Sequence, residues 1–264
     1  MPEKIREALA TPATNGYGSL MTPEFGAREQ FPQTRWTLVA RAGEGSDSDR
    51  QERAVNELCT IYWPTIYAFL RSKGHSTTEA EDLTQGFFED FLGRSHFAAA
   101  EQGRGKLRSY LLKSVSNFAK RSYRDGSRIK RGGGQPILSL DLRDEDGQLV
   151  VPEPSDDVSP ELAFRRQWAK TVLSEVIKKL RREYEEKGKV EQFDALRFTI
   201  SVVAEPRTYK EVATDLGSSE GAVKVAVHSL RERYQRVLRE TIGDTLLPGE
   251  EIDDELRELI SAFD

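Results

Sequence analysis

The stretch Thr208-Tyr-Lys-Glu-Val-Ala-Thr-Asp-Leu-Gly-Ser-Ser-Glu-Gly-Ala-Val-Lys-Val-Ala-Val-His228 holds two helix starts and one helix stop. Thr208 and Glu211 have capping-box spacing, in which the hydroxyl accepts from the backbone N–H three residues on and the carboxylate reaches back to the cap N–H. Val212 and Leu216 face inward, and Ala213 is small where a second helix must cross closely. Gly217 tolerates the positive φ that closes a helix, and Ser219 caps a second helix bearing Val223, Val227, Leu230, Tyr234 and Leu238. The pattern predicts a helix-turn-helix. Its second helix offers Lys224, His228, Arg231, Arg233, Arg236 and Arg239 to a DNA major groove and its flanking phosphates. A plain helical hairpin with a solvated basic face carries the same local pattern, so the rest of the chain must decide.

Working outward, helical periodicity predicts helices over residues 34–41, 51–73, 77–92 and 106–124, and from Pro160 to the end of the chain. Ser76 and Glu79 form another capping box, and Pro160 suits a first helical position because its missing N–H had no partner there. Pro64 is expected to kink its helix. Residues 1–30 read as a flexible leader, although Lys4 to Ala10 has helical character, and only Leu149 to Val151 suggests a strand. The expected architecture is all-α: a helical domain over 31–125, a flexible acidic linker over 126–158, a helix-turn-helix domain over 159–243 and an acidic helical extension over 244–264.

The 264 residues suit two modest domains, with 37% hydrophobic and 31% charged residues. That composition excludes a collagen-like repeat, a membrane span and wholesale disorder. A single cysteine, Cys59, and three histidines leave no disulfide framework and no Cys/His zinc spacing. With no visible secretory signal, the expected setting is the cytoplasm, without membrane insertion. The net charge of -5 conceals segregation: Gly103 to Arg131 holds ten Lys and Arg against Asp125, whereas Asp141 to Glu161 holds eight acids against Arg143.

On the basic helix, Tyr110, Lys113, Asn117, Lys120, Arg121 and Arg124 suit single-stranded DNA, with cations along the backbone and aromatic faces for unstacked bases. A core-forming amphipathic helix also produces this pattern. Gly103-Arg-Gly-Lys106 lacks the Ser or Thr and the preceding strand of a phosphate loop. The acidic helix with Glu79, Glu81, Asp82, Glu89 and Asp90 has carboxylates but no recognisable nucleophile or general base, so no enzyme, metal or cofactor is expected.

Taken in order, Tyr67-Ala-Phe-Leu, Ala80-Glu-Asp-Leu-Thr-Gln-Gly-Phe-Phe88, Leu107-Arg-Ser-Tyr-Leu-Leu-Lys-Ser-Val-Ser-Asn117 and Tyr209 to Arg239 resemble the extracytoplasmic-function (ECF) RNA polymerase sigma factors of the sigma-seventy class. The resemblance spans roughly Phe31 to Ile242. It implies a region-two-like domain whose Asp82, Leu83, Gln85 and Phe88 meet the beta-prime clamp of core RNA polymerase. Gly86 departs from the acidic residue usual there. By the same resemblance, the basic helix captures the opened minus-ten promoter strand and the loop between Gly93 and Gly105 sets its specificity. The helix-turn-helix is then a region four that reads the minus-thirty-five element beside the beta flap. Val225 and Ala226 stand where many members carry polar or basic residues, which shifts the expected DNA contacts to Lys224 and the later arginines; the resemblance also implies Ser219, Glu220, Ala222, His228 and Arg231 at the groove. An anti-sigma factor is a further implied partner. The alternative is a stand-alone helix-turn-helix regulator binding duplex DNA as a dimer.

Asp244 to Asp264 holds eight acids against Arg257, with Ile252, Leu256, Leu259, Ile260 and Phe263 at helical spacing. This predicts an amphipathic helix that either completes the core of the second domain or shields Arg231, Arg233, Arg236 or Arg239 from DNA.

Overall fold

The first helix, α1 (Ser48–Arg71), runs through Pro64 without a break. An interior proline costs about 3 kcal/mol. Around it Tyr62, Trp63, Ile66, Tyr67, Phe69 and Leu70 are all buried, and at about 1.5–3 kcal/mol for each large side chain that burial outweighs the lost hydrogen bond. The structure is a computed structural model and describes residues 48–93, 106–124, 158–201, 206–246 and 250–263. The expected leader, the helix over 34–41, most of the loop before Gly105, the strand at 149–151 and nearly all of the linker lie outside the described residues.

Among the described residues there are eight α-helices, one 3-10 turn and no strand. After α1 come α2 (Thr77–Gly93), α3 (Leu107–Arg124), α4 (Pro160–Glu185), α5 (Val190–Leu196) with the 3-10 turn Arg197–Thr199, α6 (Tyr209–Asp215), α7 (Glu220–Gly243) and α8 (Ile252–Ser261). No described helix is long and apolar enough to cross a membrane. Contacts divide the chain into two units, and both divisions fall inside helices. Residues 48–93, 106–124, 158–172, 242–246 and 250–263 form one unit; residues 173–201 and 206–241 form the other.

In the first unit the turn after α1 closes at Gly74, whose φ of 88° lets the chain reverse before α2. The Ser76 box is present in full. The Ser76 amide and hydroxyl both donate to Glu79 Oε2, at 3.0 and 2.9 Å, and the Glu79 amide donates to the Ser76 hydroxyl at 3.3 Å. The core joins Trp63, stacked on Phe88 at 5.8 Å, to Phe87, which meets Phe88, Phe91 and Phe118 at 5.4, 5.4 and 5.8 Å. Phe164 of α4 meets Phe69 edge-on at 6.4 Å. Cys59 lies inside this core, where burial pushes its thiol up to about 12.

Helix α8 also belongs to the first unit. Leu259 and Ala262 are fully buried, and Arg166 of α4 donates to the Ala262 carbonyl at 3.1 Å. The amphipathic tail therefore completes the first helical core, where the sequence had pointed to the second. Amphipathic periodicity fixes which face of a helix is adhesive but does not name the surface that receives it.

The second unit closes around Val176, Leu180, Tyr184, Phe193, Leu196, Val212, Val223, Val227, Leu230 and Tyr234, all buried. Gly188, with φ 63°, turns the chain from α4 into α5, and the Tyr184 and Phe193 rings meet at 5.4 Å across that turn.

Candidate nucleic-acid interface

The turn between α6 and α7 is built as its residues dictate. The Glu211 amide donates to the Thr208 hydroxyl at 3.2 Å and the Thr208 amide to the Glu211 carboxylate at 2.7 Å. The Thr208 backbone amide first, and its hydroxyl second, hold the Glu211 carboxyl below its usual range. Gly217 takes a φ of 59°, and Ser219 accepts from the Ala222 amide at 3.2 Å to start α7. Val212 and Ala213 of α6 and Val223, Val227 and Leu230 of α7 are all buried.

That register decides which α7 side chains face out. Ser219, Glu220, Ala222, Lys224, Val225 and His228 are exposed, and Arg231 is half-buried. His228 Nε2 lies 3.4 Å from Glu232. Two of the later arginines have partners on the fold. Arg233 sits over the Tyr184 ring at 5.3 Å, and Arg236 bonds Glu183 at 2.7 Å and Glu240 at 3.0 Å. The Glu183 and Glu240 contacts raise the pKa of Arg236 further. Both contacts reach α4, so these two guanidinium groups tie α7 to α4.

On α3 the outward residues are Lys113, Asn117 and Lys120, at spacings of four and three that place them along one stripe. Tyr123, 87% exposed, extends the stripe with an aromatic face. Tyr110 is half-buried with its ring 5.9 Å from Phe91, and burial raises its hydroxyl pKa. Arg121 is also half-buried and bonds Asp90 at 2.7 Å. The Arg124 side chain lies outside the described residues. At the start of the same helix, Lys106 and Arg108 face inward to a buried carboxylate, Glu255 of α8. Lys106 reaches it at 2.7 Å and Arg108 grips both of its oxygens at 2.5 and 3.3 Å while lying 5.2 Å from the centre of the Trp168 ring. Sequence reasoning missed this cluster, since the pairing of residues so far apart in the chain leaves no local signal.

On α2, Asp82 is exposed and Gln85 is half-buried with its amide donating to Glu89 at 3.1 Å. Leu83 and Phe88 are core residues, 5% and 1% exposed, so they shape the acidic face from beneath. A β-carbon at Gly86 would stand 3.5 Å from Phe118.

The described residues therefore offer two outward polar surfaces with an aromatic or apolar member, one on α3 and one on α7, and no cluster of metal-ligating side chains among them. No family model, curated protein or solved structure matches the chain.

Proposed function

We propose that this chain is an initiation factor of the sigma-seventy class. In this role it binds core RNA polymerase, brings it to particular promoters and holds the opened strand until synthesis begins. The observation that carries the reading is the presence in one chain of a helix-turn-helix with an outward Lys224 and His228 and a separate helix with an outward Lys113–Asn117–Lys120 stripe. The two surfaces suit two forms of DNA. A recognition helix enters the major groove of a duplex, whereas a stripe of cations beside an exposed aromatic ring suits a strand whose bases have left the stack. Asn117 is assigned to a base edge, Lys113 and Lys120 to phosphates, and Tyr123 to stacking.

The acidic face of α2 completes the assignment. Asp82, backed by buried Leu83 and Phe88, offers a carboxylate on a rigid aromatic base to a basic coiled-coil clamp, and complementary charge there favours encounter and register. The factor itself catalyses nothing in this account; polymerase does the chemistry.

Reconstituted transcription tests the reading. The full chain is added to core polymerase on genomic fragments and start sites are mapped against core alone. New, reproducible start sites are expected. No polymerase-dependent initiation from any fragment, with specific duplex binding by the chain alone, would replace the proposal by a stand-alone DNA-binding regulator.

A further inference from the structure

Val225 is 71% exposed, one of two large hydrophobic side chains so open among the described residues. It lies on α7 directly opposite the buried Val223, Val227 and Leu230 seam, so the core does not use it. Ala222, three residues before it, is exposed, and Ala226 beside it is half-buried. Lys224 and His228, both exposed, flank this small apolar stripe one turn apart. The stripe occupies the first two turns of the second helix of the helix-turn-helix, the part that reaches base edges when such a helix lies in a major groove.

We infer that Val225, supported by Ala222, reads the 5-methyl group of thymine in the upstream promoter element. A valine side chain has no hydrogen-bond donor or acceptor, and the thymine methyl is the apolar group that base pairs present in the major groove. Lys224 supplies charge complementarity to the flanking phosphates, which argues for DNA as the occupant of the stripe. The selectivity is thereby divided: Lys224 contributes affinity across sequences, and Val225 discriminates one base.

This inference rests on the promoter-binding function proposed above, and the experiment separates the two. Full-length chain and core polymerase are used to select active promoters from a library randomised in the upstream element. Each conserved thymine of the selected sequence is then replaced by uracil, which removes the methyl and keeps the hydrogen-bonding edge. Wild-type protein should lose about three- to fivefold in promoter use at one or two positions, the scale of one buried methyl group. Val225→Ala should use the thymine promoter about as weakly as the uracil one and show no further loss with uracil. Lys224→Ala should lower use of both templates and preserve their ratio. An equal thymine-to-uracil ratio in wild type and Val225→Ala, with initiation intact, overturns the inference and leaves the function standing. Loss of self-association in Val225→Ala by sedimentation, without any uracil effect, would also overturn it and assign the stripe to a second copy of the chain. Absence of polymerase-dependent initiation on every template would overturn both.

Discussion

Helices α3 and α7 are both rich in arginine and lysine, yet each divides its cations differently between the fold and the outside. On α3 the cations at the start, Lys106 and Arg108, are committed to Glu255, and the outward stripe begins a turn later at Lys113. On α7 the start is outward, with Lys224 and His228, and the cations committed to the fold, Arg233 and Arg236, come in the second half. A count of charge along either helix therefore overstates its binding surface. The useful distinction is whether a cation has an acid or an aromatic ring of its own chain within reach, because a guanidinium already desolvated against such a partner must give that contact up before it meets a phosphate.

The largest expected effect belongs to the buried end of α3. Glu255 is 1% exposed, and removing its carboxylate leaves Arg108 charged and nearly buried without its bidentate partner. Glu255→Ala should cost about 3–5 kcal/mol of stability, read as a lower urea midpoint by circular dichroism. Glu258, on the same helix but 43% exposed and 3.4 Å from Arg108, is the control; its replacement by Ala should cost no more than about 1 kcal/mol. Equal losses in the two variants would show that the clasp does not hold α8.

A smaller effect is expected where α6 begins. Thr208→Ala removes the hydroxyl that caps the Glu211 amide and should cost about 1 kcal/mol. The native Glu211 carboxyl titrates below its unfolded value, so its contribution is present above the ordinary glutamate range and is lost as pH falls through the depressed native value. Stability of the wild type should therefore fall in that acid window, and the fall should be slightly shallower in Thr208→Ala, which keeps the backbone N–H that lowers Glu211 most and loses only the hydroxyl that lowers it second. Urea midpoints measured across acid pH check this, and parallel curves for the two proteins would refute it.

Much of this arrangement was legible beforehand, for reasons that differ by residue. Both capping boxes, the Gly217 stop and the Ser219 cap are local, since each joins residues within three or four positions, so sequence spacing alone specifies them. The all-helical character followed from periodicity. What escaped was every pairing between distant residues. The receiving surface of α8, the anchoring of Arg233 on Tyr184 and of Arg236 on Glu183, and the stacking of Phe88 on Trp63 depend on which helices meet. Pro64 does not end its helix, and the burial of its aromatic neighbours offsets the hydrogen bond it cannot donate. Within the candidate site, Lys113, Asn117 and Lys120 face outward as the spacing suggested, but Arg121, one residue further, is turned to Asp90.

That last contrast supplies the smallest expected effect on stability. Arg121→Ala breaks a partly exposed ion pair and should cost no more than about 1 kcal/mol, whereas Lys113→Ala with Lys120→Ala, both exposed, should leave the urea midpoint within about 0.5 kcal/mol of the parent. A large stability loss in the double variant would place these lysines among the fold-holding cations and erase the distinction.

The most direct test of the central claim, that the outward stripe of α3 captures the opened promoter strand, is permanganate footprinting of polymerase–promoter complexes formed with the Lys113→Ala, Lys120→Ala double variant. The account predicts that this variant binds core polymerase like the parent but leaves the promoter thymines unreactive, because the strand is not held apart. Parental thymine reactivity in the double variant, at equal occupancy of polymerase, would contradict it.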